Sequence, residues 1–276
     1  MTEIDTKKIE ANNAASEVIK AKKYLKDNNI PSDWGGITTS SPKGISIDEE
    51  MTSIFKSLFP NRMKNKWNTK GWVFEINTLD EVEECMNKMK NLTPEKISYI
   101  LLRFMKTKNS KVDELIFCSN ENVTKNPIDK DKKWDFMIKD IIFDLKGTCI
   151  PMKFPNREFL LTKIRDGKIE NSDLFELANY LYVNQSGYKT KSGRFDIQNR
   201  LFLIMVPIDN NDKGEDMLTK YRDKTDLIMD FCNNFVHRPE FLYEDSISHE
   251  KAYWRFLFLI EKMNEKGEFI YTHIYI

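Results

Sequence analysis

The sequence predicts an α/β protein of mixed type, with a central mixed β-sheet flanked by helices and a mostly helical region ahead of it. Three observations lead there. From about residue 95 to 276, apolar runs of strand length alternate with stretches at helical spacing. RLFLIMVPI (200–208) is almost continuously apolar, as a strand covered on both faces must be. Residues 1–90 instead carry helical signals broken by turn-forming stretches.

The elements follow in order. TKKIEANNAASEVIKAKKYLK (6–26) reads as a polar helix with a thin apolar stripe of Ile9, Val18 and Tyr24. Residues 29–46 gather Pro31, Gly35, Gly36, Pro42 and Gly44 into a loop or linker, which also holds Trp34. A short helix is expected over Ile47 to Leu58, ending before Pro60, and GWVFEI (71–76) has strand character. Residues 75–84 hold five acids and no base, and the pattern is then helical through Met89. Pro94, suited to a first helical turn, opens ISYILLRFM. DELIFCS (113–119) reads as a strand, and WDFMI and IIFDLKGTCI as two strands joined by a tight turn. DLFELANYLYV (173–183) is helical, with Asp173 and Glu176 at capping-box spacing. Residues 214–235 repeat apolar positions at three and four. AYWRFLFLIEKMNEKGEFIYTHIYI reads as a hairpin of two long strands, whose Tyr253, Trp254, Phe256 and Phe258 suit a core or a dimer interface better than base stacking.

Composition sets the outer limits. The 276 residues are 40% apolar with 18 Phe and 10 Tyr, enough for one large domain or two modest ones. Forty-three basic and 43 acidic residues cancel, which removes a globally basic chain as a nucleic-acid signal but leaves room for a local basic groove. Cys85, Cys118, Cys149 and Cys232 form no C-x-x-C pair, so reduced thiols are expected. His237, His249 and His273 have no metal-ligand spacing with one another or with a cysteine, so no His/Cys zinc site is expected. MTEIDTKKIEANNAASEVIK lacks the apolar core of a signal peptide, and no apolar run reaches membrane-span length. A cytoplasmic protein without membrane contact is the expectation.

The chemistry concentrates in WDFMIKDIIFDLKGT (134–148). With a turn at Lys139-Asp140, Ile138 pairs with Ile141, Phe136 with Phe143, and Asp135 stands opposite Asp144. Alternation then puts Asp144 and Lys146 on one face with Asp135 across the ladder, while Phe136, Ile138, Ile141, Phe143 and Leu145 face the core. Lys-Asp is a poor type I′ pair, so a longer loop is an alternative. Opposed carboxylates repel unless a positive charge lies between them. Lys146 supplies part of it, and a divalent cation with oxygen ligands would supply more. The plain alternative is a solvated hairpin face with a surface ion pair.

These residues resemble the core of the PD-(D/E)xK nuclease superfamily, the fold of many type II restriction endonucleases. There an acid ends one strand and an acid-x-Lys triplet follows on the next. Asp135 matches the first acid, Asp144 and Lys146 match the triplet, and Trp134 stands where the family has Pro. The likeness is close over 134–148 and looser over 110–210, through the order hairpin, helix, buried strand. It implies a restriction-endonuclease-like core over 91–276 and an accessory helical region over 1–90 for DNA contact or dimerisation. It further implies Mg²⁺, with Mn²⁺ substituting, held by Asp135, Asp144 and the Leu145 backbone carbonyl. The family often adds an upstream glutamate, for which Glu114 and Glu95 are the candidates.

Basic residues follow the hairpin. Residues 146–168 hold six bases (Lys146, Lys153, Arg157, Lys163, Arg165, Lys168) against Glu158 and Asp166. LYVNQSGYKTKSGRFDIQNR then offers Lys189, Lys191, Arg194 and Arg200, interleaved with Tyr188 and Phe195 and with the amides Asn184, Gln185, Gln198 and Asn199. Such a loop suits phosphates or base edges, and Gln198 and Arg200 are close enough in sequence to the buried strand to reach the carboxylates. It suits a solvated charged loop equally. The expectation is a Mg²⁺-dependent endonuclease on double-stranded DNA, in a restriction or phage-defence setting, as a homodimer. Its rivals are a repair, recombination or RNA-directed nuclease, a non-catalytic binding protein that keeps the fold, and an interaction protein for which the hairpin is scaffold.

Overall fold

A computed structural model describes residues 3–31, 47–62, 71–127, 134–183, 199–210, 221–237, 242–244 and 251–276. It divides into two units, Ile9–Val112 and Asp113–Ile276, the latter with Met1–Lys8. The division thus falls within a helix and not near residue 90.

The first unit is helical: α1 (Glu3–Asp27), α2 (Ile47–Leu58), α3 (Trp72–Glu75), α4 (Leu79–Met86) and α5 (Pro94–Cys118), which runs on into the second unit at Asp113. The buried stripe of α1 is Ala11, Ala15, Val18, Ala21 and Leu25, while Ile9 is exposed and Tyr24 only partly covered. Small alanines let neighbours approach the backbone, and the expected stripe missed them for lack of bulk. Buried Asp48 organises the interior. It accepts from Trp72 Nε1 at 3.1 Å and Tyr99 Oη at 2.9 Å. This anchoring explains why GWVFEI is a helical turn and not the expected strand. Trp72 and Val73, adjacent in sequence, are both buried and Phe74 is exposed, a pattern a half-covered strand cannot give. Burial and the Asp48 bond push the Tyr99 hydroxyl up to about 12. Thr78 Oγ1 caps α4 through Glu81 N–H at 3.3 Å, and Glu17 Oε2 takes the Leu79 N–H at 2.6 Å.

DELIFCS, expected as a strand, is the last two turns of α5. A short apolar run cannot tell a strand from a buried helix end. Here Val112, Leu115, Ile116, Phe117 and Cys118 are all buried.

Among the described residues the second unit has seven strands: β1 (Val123–Lys125), β2 (Phe136–Ile138), β3 (Ile141–Cys149), β4 (Arg200–Val206), β5 (Leu242–Glu244), β6 (Lys251–Met263) and β7 (Phe269–Tyr275). Their order is β1-β2-β3-β4-β6-β5, with β7 also on β6. β1, β2 and β3 pair antiparallel, β3, β4 and β6 parallel, and β5 and β7 antiparallel to β6. The sheet is therefore mixed. Parallel neighbours need crossovers. α6 (Arg157–Arg165) and α7 (Asn171–Val183) lie between β3 and β4, and α8 (Tyr221–Asn233) between β4 and β6. Every residue of β4 is buried, and Tyr253, Trp254, Phe256 and Phe258 of β6 belong to the core. Asp173 serves α7 differently from the expected box: it lies inside the helix and its Oδ2 reaches back to Glu170 N–H at 2.9 Å. Leu218 and its neighbours through residue 220 lie outside the described residues, as does Trp34.

The β2–β3 turn is the two-residue form. Phe136 pairs with Phe143 and Ile138 with Ile141. Lys139 and Asp140 take φ of 44° and 69°, the positive pair a type I′ turn requires. Lys139 Nζ also bonds Phe235 O at 2.8 Å, which holds a lysine where Asn or Gly is the usual choice. Phe136 stacks on Phe117 of α5 at 4.9 Å, and Phe143 meets Phe235 edge-on at 5.9 Å.

One ion pair lies deep in this unit. Lys224 Nζ of α8 is 2.6 Å from Asp113 Oδ1 of α5, with both side chains 2% exposed. Burial holds the Asp113 carboxyl above its ordinary value although Lys224 pulls it down. Gly147 of β3 lies beside the pair: a Cβ there would stand 3.4 Å from Asp113 Oδ2. Among the described residues no helix is long and apolar enough to cross a membrane. Breaking the pair strands a charge. Lys224→Met is expected to lower stability by about 3–5 kcal/mol, and Asp113→Leu in that background to recover most of it. Urea unfolding of the single and double variants measures this. Additive losses would show that the two residues act separately.

Candidate functional site

β3 changes partners at Asp144. β2 pairs with it through Phe143, and β4 takes over from Asp144 to Cys149. Beyond Phe143 the edge of β3 toward β2 has no ladder partner from that strand, and the Asp135 side chain fills the gap: its Oδ2 accepts the Leu145 N–H at 2.7 Å. The ladder ends at Phe136–Phe143, and Asp135 follows it near enough to Asp144 for the two carboxylates to interact electrostatically. The Asp135 backbone is fixed on both sides, by its own N–H on Phe143 O at 2.8 Å and by Asn126 N–H on its carbonyl at 3.0 Å. In a strand the N–H and C=O of one residue point to the same edge, so the Leu145 carbonyl also faces the Asp135 side.

Asp144 and Lys146 share a face of β3, and Lys146 Nζ donates to Asp144 Oδ1 at 2.6 Å. Asp144 is buried, while the Lys146 side chain is 40% exposed and reaches solvent. On β4, Arg200 lies beside Asp144 in the parallel register, with Nε 3.8 Å from Asp144 Oδ2. Asp144 N–H bonds Asn199 O at 3.0 Å, and Asn199 Oδ1 takes the Tyr253 N–H at 2.8 Å, which ties the start of β4 to both neighbours.

Glu114, on the last turns of α5, is close enough to Asp135 to raise its carboxyl electrostatically. It lies 3.9 Å from Lys125 of β1. Glu95 belongs to the first turn of α5 in the other unit, where a hydrogen bond with Thr93 holds its carboxyl below the usual range. Burial, before any other cause, pushes Asp135 up to about 6. The Leu145 N–H opposes this, and the charge of Asp144 adds to it. Two carboxylates therefore crowd one spot, and their mutual repulsion is one cause of the raised Asp135 carboxyl. Among the described residues no three or more His, Cys, Asp or Glu side chains gather as a metal cluster. The oxygen groups at this junction are the Asp135 and Asp144 carboxylates and the Leu145 carbonyl, with Glu114 close to Asp135.

Among the described bases expected beside the hairpin, Arg157 and Arg165 are consumed within the fold and Lys163 and Lys168 are paired with acids. Arg157 donates to Ile150 O at 3.1 Å and to Asn210 O, and Arg165 to Asn210 Oδ1 at 2.7 Å and to Pro207 O. Lys163 pairs with Asp173 at 3.0 Å and Lys168 with Asp166 at 3.1 Å. Asn184, Gln185, Lys189, Lys191, Arg194 and Gln198 lie outside the described residues. Arg200, expected as a nucleic-acid contact, is buried and turned to Asp144. His237 stacks on Tyr253 at 4.8 Å, past the end of α8. The Leu145 side chain, expected in the core, is only partly covered. Sequence reasoning missed the Asp113–Lys224 pair because the acid lay in a stretch read as a strand. No signal in the sequence links these two positions, 111 residues apart. Comparison with protein-family models, with curated proteins and with solved structures finds no match for this chain.

The Asp135 carboxyl, raised from its ordinary 3.8 to about 6, binds a proton more tightly in the folded chain than in the unfolded one. Stability therefore falls as pH rises from about 4 to 6 and stays reduced above, by roughly 2–3 kcal/mol. Asp135→Asn is expected to be more stable than the natural chain at pH 8 by about 1–2 kcal/mol, with the gain gone near pH 4. Urea midpoints at the two pH values test it, and an equal difference at both would refute the assigned cause.

Proposed function

We propose that the chain is a Mg²⁺-dependent endonuclease with a restriction-endonuclease-like core, acting on double-stranded DNA in a restriction or phage-defence role. One observation carries the reading: Asp135, bonded to Leu145 N–H at 2.7 Å, lies close to an Asp144 that holds Lys146 of the same strand at 2.6 Å. The order hairpin, helices, buried parallel strand is in keeping with it.

The residues fit the metal that this reading requires. Carboxylate and carbonyl oxygens suit Mg²⁺, which keeps several waters and commonly takes one or two protein carboxylates with substrate phosphate. Asp135, Asp144 and the Leu145 carbonyl would hold it. When bound it would polarise the phosphodiester and lower the pKa of a water. The remaining work falls to the chain. Asp135 and Asp144 are fixed by backbone bonds on adjacent strands, so their spacing does not depend on flexible side chains. Lys146, partly solvated, orients the water that attacks phosphorus and stabilises charge on the phosphate as the 3′-oxygen leaves. A homodimer would bring two such sites to opposite strands.

The test is cleavage of varied plasmid and phage DNA with Mg²⁺ or Mn²⁺. Lys146→Ala is expected to slow cutting by about 10²–10³-fold, the usual effect of losing one charge-stabilising donor. Mn²⁺ should also raise the melting temperature of the natural chain and leave that of Asp135→Asn unchanged. Intact DNA throughout, with DNA still bound, would point instead to a binding protein that keeps the fold. Cleavage of RNA alone would move the substrate class.

A further inference from the structure

We propose that Arg200 is a built-in counter-cation of Asp144 that holds the affinity of the Asp135–Asp144 pair for divalent ions low in the free protein. The inference rests on the nuclease reading above and deepens it: it names the residue that sets how readily the site takes its metal.

Arg200 is 3% exposed, and its Nε lies 3.8 Å from Asp144 Oδ2. The other oxygen of that carboxylate receives Lys146 at 2.6 Å. The two cations differ in kind. Lys146 rides on a flexible stem that reaches solvent and can turn to a substrate phosphate. Arg200 is enclosed on β4, between β3 and β6, and a guanidinium does not lose its proton. Its charge at Asp144 is permanent. Glu114 has Lys125, a partly exposed lysine, at 3.9 Å. The carboxylates Asp135, Asp144 and Glu114 are therefore met by Lys146, Arg200 and Lys125, and the described site is close to neutral without a metal. A doubly charged ion entering there is repelled by a fixed charge a few ångströms away in a medium that screens weakly. At an effective permittivity of about 20, that repulsion exceeds a factor of ten in affinity.

The experiment titrates Mn²⁺ alone into the full chain without DNA, followed by calorimetry, for the natural sequence and for Asp135→Asn, Arg200→Met and Arg200→Lys. Mn²⁺ is expected to bind the natural chain weakly and to lose that binding in Asp135→Asn. Arg200→Met should bind it at least about tenfold more tightly, and Arg200→Lys, which keeps the charge, within about threefold of the natural value. Damage to the fold weakens a site, so tighter binding separates a charge effect from a structural one. Because the guanidinium is enclosed, the gain should survive raised salt, unlike that from an exposed charge. If Arg200→Met does not fold, as judged by circular dichroism, Arg200→Gln takes its place. Equal or weaker Mn²⁺ binding in the neutral variant overturns the role of Arg200 and leaves the nuclease reading intact. No Mn²⁺ binding by any variant overturns the metal site itself, and this inference with it.

Discussion

The second unit depends on one constraint, the change of partner along β3. An antiparallel neighbour serves it up to Phe143 and a parallel one from Asp144 onward. A strand paired on both sides for its whole length would have no backbone group to offer at Leu145. Because β2 stops short, the Leu145 amide turns to a side chain, and the chain supplies Asp135 for it. The candidate site is thus a consequence of how the sheet is assembled. Its two aspartates sit where the hairpin half of the sheet meets the parallel half.

Charge is arranged around that junction in two layers. On the face of β3 that carries Asp144, Lys146 bonds one oxygen of that carboxylate and Arg200 stands 3.8 Å from the other. Beside Gly147, whose missing side chain points the other way, lies the enclosed Asp113–Lys224 pair. Buried ion pairs add little net stability compared with apolar residues of the same volume. Their effect is on position: a carboxylate and an ammonium that must meet within 2.6 Å restrict how α5 and α8 can lie over β3. Glu114 follows Asp113 directly on α5, so the same restriction bears on where that glutamate stands.

The proposed chemistry asks little of the flexible parts of the chain. Asp135 is held by four backbone-directed features: Phe143 O, Asn126 N–H, Leu145 N–H and the tight turn at Lys139 and Asp140. Asp144 is fixed by strand pairing with Asn199 and Arg200. The Lys146 side chain, 40% exposed, reaches solvent, which fits the group asked to meet a substrate. Meanwhile two arginines of the basic segment after the hairpin, Arg157 and Arg165, close on backbone carbonyls between β3 and α6 and after β4. They brace the fold.

The sequence by itself determined the local features. Helix α2, the hairpin register, the all-buried β4 and the long β6–β7 hairpin follow from spacing alone, because period-two and period-3.6 patterns leave few other ways to cover the apolar side chains. It also placed Asp144 and Lys146 on one face, since alternation along a strand fixes that whatever surrounds it. Tertiary structure decided the rest. GWVFEI became a helical turn because Trp72 found Asp48, and DELIFCS became the end of α5 because its run of apolar residues is covered all round. Arg200 became the neighbour of a carboxylate and not a surface contact because β4 enters the sheet beside β3, a pairing between residues 56 apart that no local pattern encodes. Side-chain direction along one strand is a local property. Which charges meet across strands depends on the order of the sheet, and the folded chain alone fixes that order.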